Sequence, residues 1–182
     1  MDAELLCEVF RRIVGREARV RRFTEKDSVI RRLVSEGLKG QQSTCSFIIV
    51  EEGKQRLLSN AALLVSKLRS ISRDFSLVLL VDTDHNYPGD VAQELRRRIS
   101  NIVRQRFRTE FRPQIGVVKS TEHYYVITVT YPRGRAIVMH LVTVPQSLEH
   151  WLSMYGNDVR SLIAKRGTIP WLQNLCEVLQ RQ

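Results

Sequence analysis

The stretch FSLVLLVDTDHNYPGD, residues 75–90, decides how the chain is read. Phe75 and the unbroken apolar run 77–81 end abruptly at Asp82 and Asp84, the pattern of a buried strand that carries two carboxylates to its C-terminal end. Open α/β sheets place ligands there. Two carboxylates one residue apart can share a hard cation such as Mg²⁺ or Mn²⁺, which takes oxygen ligands. The plainer reading is a strand followed by an Asx-type turn, because Asp, Asn, Pro and Gly all favour turns.

Working outward, residues 46–50 (SFIIV) read as a second buried strand that runs into Glu51, Glu52 and Gly53. A helix then extends from Lys54 to about Ser72, with Leu57, Leu58, Ala61, Leu64, Val65 and Leu68 inward. Strand, helix and strand predict a right-handed parallel unit, with the acidic tips at Glu52 and Asp82 on one edge of the sheet. Pro88-Gly89-Asp90 opens the next helix, 91–107, whose apolar face is Val91, Leu95, Ile99, Ile102 and Val103. Its other faces carry Arg96, Arg97, Arg98, Arg104 and Arg106, with Arg108 just beyond, either a solvated face or a stripe that tracks phosphates.

Further out, residues 3–14 predict a helix closed by Gly15, 16–23 a short basic strand, and 25–38 a helix capped by Thr24. Residues 115–118 (IGVV) are expected as a third core strand. Residues 124–131 and 136–144 alternate Val, Ile, Thr and Tyr around a Pro-Arg-Gly-Arg tip that carries Arg133 and Arg135, a hairpin pattern. Ser147 caps a short helix to Tyr155, residues 158–165 continue helically, and 171–179 form the last helix.

The composition supports one domain over 1–182: a basic helical lead-in at 1–44, a core at 45–155 and C-terminal helices at 156–182. The net charge of +10 points to a polyanionic partner, nucleic acid first, and arginine carries most of it. Cys7, Cys45 and Cys176 are scattered and form no CxxC pair, which fits a reducing cytoplasm without a zinc site. No apolar run is long enough to span a membrane, and no leader precedes the first helix, so a cytoplasmic protein without membrane contact is expected. The four histidines show no metal-ligand spacing, and neither a GxSxG elbow nor a Walker loop occurs; His85, beside Asp84, reads as a ligand, a proton shuttle or plain surface.

The motifs IIVEEGK (48–54) and LLVDTDHNYPGD (79–90) resemble those of the Toprim domain of topoisomerases, primases and several nucleases, an apolar strand ending in Glu-Gly and a later one ending in Asp-x-Asp. The segment SLEHWL (147–152) is similar to a Glu-x-Trp-Leu segment in small relatives of the overcoming-lysogenization-defect nucleases. Together these cover about residues 45–155. The resemblance implies an α/β fold, a Toprim-like, mainly parallel sheet flanked by helices, with an added antiparallel hairpin and C-terminal helices. It implies Mg²⁺ (or Mn²⁺) held by Asp82 and Asp84, Glu52 as general acid, base or metal ligand, and Glu149 near a second metal. Lys54, Arg96, Arg97, Arg104, Arg108, Arg133 and Arg135 are the candidate nucleic-acid contacts.

The chain departs from the family pattern at two points. Glu51 interrupts the usual Val-Glu-Gly, and one helix separates the motifs where the family has helix, strand and helix. A rival alignment makes residues 1–14 the helix after a missing glutamate strand, so that Glu52-Gly53-Lys54 is a later turn and the catalytic glutamate is absent. Three expectations follow: a metal-dependent nuclease or phosphotransferase, a catalytically degenerate nucleic-acid-binding or partner module, and a glycosyltransferase whose DxD binds Mn²⁺ and a nucleotide-sugar diphosphate. A protein partner or a homo-oligomer is compatible with each.

Overall fold

The computed structural model describes residues 2–15, 19–22, 47–50, 53–68, 75–84, 86–109, 112–132 and 136–180. In chain order the elements are α1 (Asp2–Val14), β1 (Arg19–Arg22), β2 (Phe47–Val50), α2 (Lys54–Leu68), β3 (Phe75–Asp82) and α3 (Pro88–Arg106). They continue with β4 (Gln114–Thr121), β5 (Tyr124–Thr130), β6 (Ala136–Val144), α4 (Leu148–Met154), α5 (Val159–Ala164) and α6 (Pro170–Gln180).

Alternation along β3 divides the molecule into two apolar layers, because successive strand residues face opposite sides of a sheet. Leu77, Leu79 and Val81 join a core with Ile137, Met139 and Leu141 of β6 and the inward faces of α2 and α3. Val78 and Leu80 join the other core, with Val142 and Val144 of β6, Leu5 and Val9 of α1, and Trp171, Leu172 and Leu175 of α6. Cover on both sides goes with the unbroken apolar run 77–81 of β3, while β6 is apolar except at His140 and Thr143.

The four-stranded sheet has the order β3-β6-β5-β4. Only β3 and β6 pair in parallel, while β6 with β5 and β5 with β4 are antiparallel. The expectation of a mainly parallel sheet is therefore corrected: the sheet is mixed. The hairpin at 124–144 is no appendage, since β6 inserts directly beside β3. The short links β4–β5 and β5–β6 leave room only for antiparallel neighbours. Strand β2 pairs in parallel with β1, Arg19 against Phe47, in a separate two-stranded sheet. Among the described residues β2 and β3 share no ladder, so the expected parallel unit joining them in one sheet is not seen.

The segment expected as a core strand at 115–118 lies within β4 at the sheet's rim and is half-buried to exposed. The predicted helix at 25–38 lies outside the described residues. Ser147 caps α4 as read, accepting a hydrogen bond from the His150 amide, and Asp158, not singled out in the sequence, caps α5 by accepting from the amides of Arg160 and Ser161. No helix among the described residues is long and apolar enough to cross a membrane.

Candidate metal and phosphate site at the end of β3

The apolar run of β3 ends because the chain must leave the sheet, and hydrogen bonds to the end of β6 fix how it leaves. The Thr83 amide and hydroxyl both donate to the Val144 carbonyl, at 2.9 and 3.1 Å. Asp84 adopts φ 46°, a left-handed conformation that Asp tolerates better than most residues, and its amide donates to the Gln146 carbonyl at 3.0 Å. Gln146 is also left-handed, at φ 61°. The turns after β3 and after β6 are thus clasped to each other.

Asn86 closes the β3 turn by donating its amide and its side-chain Nδ2 to the Thr83 carbonyl, at 2.9 and 2.7 Å. Lys54, the first residue of α2, donates Nζ to the same carbonyl at 3.2 Å and to Asp84 Oδ2 at 3.1 Å. The lysine is largely buried and the aspartate is 58% exposed. With three donors on it, the Thr83 carbonyl has little capacity left for another ligand.

Asp82 shares the side of β3 occupied by Val78 and Leu80, whereas Asp84 is engaged by Lys54 of α2, whose apolar face packs on the opposite layer. Glu149 lies exposed in the first turn of α4. Trp151 anchors that helix by donating Nε1 to the Pro145 carbonyl at 2.8 Å and packing edge-on against Trp171. Among the described residues no group of three or more His, Cys, Asp or Glu side chains is placed to hold one ion, so Glu149 does not complete a three-ligand set with Asp82 and Asp84. Mg²⁺ commonly takes one or two carboxylates and fills its octahedron with water and substrate phosphate, so an ion at this tip would not need a third protein carboxylate. Glu52, His85, Arg133 and Arg135 lie outside the described residues.

The arginines of α3 divide by role. Arg98 is structural: Nε donates to Glu94 at 2.7 Å, Nη1 to the Gln55 carbonyl at 3.2 Å, and further bonds reach Ser59 Oγ and Gln55 Oε1, so it ties α3 to α2. Arg106 reaches Ser66 Oγ at 3.2 Å. Arg97 pairs with Glu94, whose burial works to raise its pKa but which the two guanidinium bonds lower on balance. Arg96, exposed, makes only a 3.5 Å contact with Gln93. Arg104 and Arg108 are exposed and make no ion pair among the described residues. Arg96 and Arg104 of α3, with Arg108 just beyond its end, are therefore the least engaged of these arginines among the described residues, and Arg104 also complements the helix dipole in the last turn.

Sequence reasoning passed over the groups beside the tip. Tyr87 is 57% exposed, and the Lys119 ammonium lies 5.9 Å from its ring centroid. Tyr125 has its hydroxyl pKa raised by burial, and His123 is shifted down by burial. Strand β4 brings Lys119 to this edge only through the pairing of Lys119 with Tyr125, which leaves no local signature. Compared with protein-family models, with curated proteins and with solved structures, the chain matches none.

Proposed function

We propose that this protein is a Mg²⁺-dependent, Toprim-like nuclease or phosphotransferase acting on nucleic acid. The observation that supports the reading is the delivery of Asp82 and Asp84 to the carboxyl end of β3, with Lys54 at the start of α2 beside them. In this reading Asp82 and Asp84 are the residues that would hold the ion through oxygen ligands, and Lys54, now on Asp84, would be the cation for a substrate phosphate. The chemistry such an ion would supply is neutralisation of phosphate charge and a lowered pKa for an attacking water. Glu52, two residues before Lys54, is the proposed general acid or base. Arg96, Arg104 and Arg108 hold the flanking phosphates, and a cytoplasmic setting agrees with the scattered cysteines.

One observation favours a second reading, a catalytically degenerate nucleic-acid-binding module. The Lys54 ammonium already neutralises Asp84, which is what a metal would otherwise do there. Cleavage of labelled single- and double-stranded DNA and RNA, with and without Mg²⁺ or Mn²⁺, separates the two. Metal-dependent cleavage abolished by Asp82→Asn and by Asp84→Asn supports the enzyme, and cleavage that survives both changes sinks it. Salt-sensitive binding without turnover under any metal supports the module.

A further inference from the structure

We propose that Tyr87 and Lys119 form a nucleotide subsite beside the β3 tip, where one base of a single-stranded nucleic acid stacks on the tyrosine ring and Lys119 takes the adjoining phosphate. The proposal rests on nucleic acid being the ligand, as argued above, and adds which form of it the site takes.

Tyr87, Val118 and Met154 are the large apolar side chains left exposed among the described residues, and Tyr87 alone of them lies within three residues of Asp84. Its ring is held in place. Asn86, immediately before it, is fixed by two hydrogen bonds to Thr83, and Pro88 follows as the first residue of α3. The ring rests against Gly89, where an added Cβ would fall 2.9 Å from Tyr87 Cε1 and 3.1 Å from Cδ1. A glycine there gives the ring its seat, and any larger residue would displace it. Much of the entropic cost of positioning an aromatic platform is thus met before a ligand arrives.

Lys119 is exposed, approaches the ring to 5.9 Å and makes no ion pair among the described residues. A ring with an exposed lysine ammonium beside it matches a nucleotide, whose base offers a π-face and whose phosphate offers the charge. Asp90 in the first turn of α3 and Glu122 in the β4–β5 turn oppose a phosphate on this side of the ring, and Lys119 is the charge that offsets them. In a duplex both faces of each base are taken by its neighbours, so a single tyrosine platform selects an unpaired strand or strand end.

The test is equilibrium binding of short fluorescent oligonucleotides at low salt: oligo-dT and oligo-U, an abasic strand of equal length, and a duplex. Wild-type protein is expected to bind the single strands more tightly than the duplex. Tyr87→Ala is expected to weaken base-bearing single strands about tenfold, to leave the abasic strand unchanged, and to keep the wild-type unfolding midpoint, while Tyr87→Phe retains affinity. Lys119→Gln is expected to lower the salt dependence by about 0.7 in log-log slope. Oligo-dT and oligo-U distinguish a DNA from an RNA strand. Unchanged single-strand binding by Tyr87→Ala overturns the subsite while leaving the nucleic-acid reading intact. Equal loss on the duplex overturns the single-strand assignment. Failure of the wild-type protein to bind any of the oligonucleotides overturns both readings.

Discussion

Lys54 and Asp84, 30 residues apart in sequence, meet at 3.1 Å at the end of β3 and place an ammonium on the carboxylate that a metal would use. Because Asp84 is largely exposed, this pair contributes at most about 1 kcal/mol to stability. Its larger consequence is competition. Lys54→Met is expected to leave the unfolding midpoint nearly unchanged and to raise Mn²⁺ affinity several-fold, read by calorimetric titration of the metal.

The left-handed turn at Asp84 separates charge from backbone geometry. Asn tolerates φ 46° as Asp does, so Asp84→Asn is expected to fold normally and to lose metal binding. A β-branched residue does not tolerate it, and Asp84→Val is expected to cost about 1–2 kcal/mol in denaturant unfolding. Equal stability of the two variants would remove the backbone argument.

Arg98 and Arg104 lie on the same helix and are expected to behave oppositely. Arg98→Ala breaks the hydrogen bonds that hold α3 to Gln55 and Ser59 of α2 and is expected to destabilise the fold by about 1–2 kcal/mol. Arg104→Ala removes an exposed, unpaired charge and is expected to change stability by less than about 0.5 kcal/mol. Its effect belongs in nucleic-acid binding, as a shallower salt dependence.

Thr143 is wholly buried beside Val81, and its hydroxyl finds no hydrogen-bond partner among the described residues. Thr143→Val keeps the shape and removes the uncompensated polar group. Thermal or denaturant unfolding is expected to show a gain of about 1 kcal/mol. A loss instead would mean that the hydroxyl is satisfied in solution.

Acid sensitivity is expected at Glu8 on α1. Hydrogen bonds from Arg11 and then Arg12 lower its pKa from 4.5 to about 2. A carboxyl depressed in the folded state contributes stability above about 4.5 and loses it as the pH falls towards 2. Glu8→Gln is expected to flatten the stability curve across that window by lowering stability at neutral pH, leaving the strongly acidic end almost untouched. The partner guanidinium groups of Arg11 and Arg12 are exposed, so the contribution falls with added salt.

Much of the secondary structure was legible because its causes are local. The apolar faces of α2 and α3 recur at helical spacing, Pro88 stands at the first position of α3, Ser147 caps α4, and β3 stops where its apolar run meets Asp82. The strand partners were not legible. A strand covered on both faces reads the same whether its neighbours run parallel or antiparallel, so nothing in residues 136–144 announced that β6 would take the place beside β3. The rim position of β4 was hidden for the same reason, since Ile115, Val117 and Val118 are apolar although only the first two are half-buried.

The sequence by itself determined the carboxylate tip of β3, the basic surplus and the helices that carry it, since these follow from residue type and short-range periodicity. Tertiary structure alone decided what surrounds that tip: the Lys54 ammonium on Asp84, the clasp of Asp84 to Gln146, and the approach of Lys119 to Tyr87. Each joins residues far apart in the chain, and such contacts exist only once both apolar layers have closed on the sheet and fixed its strand order.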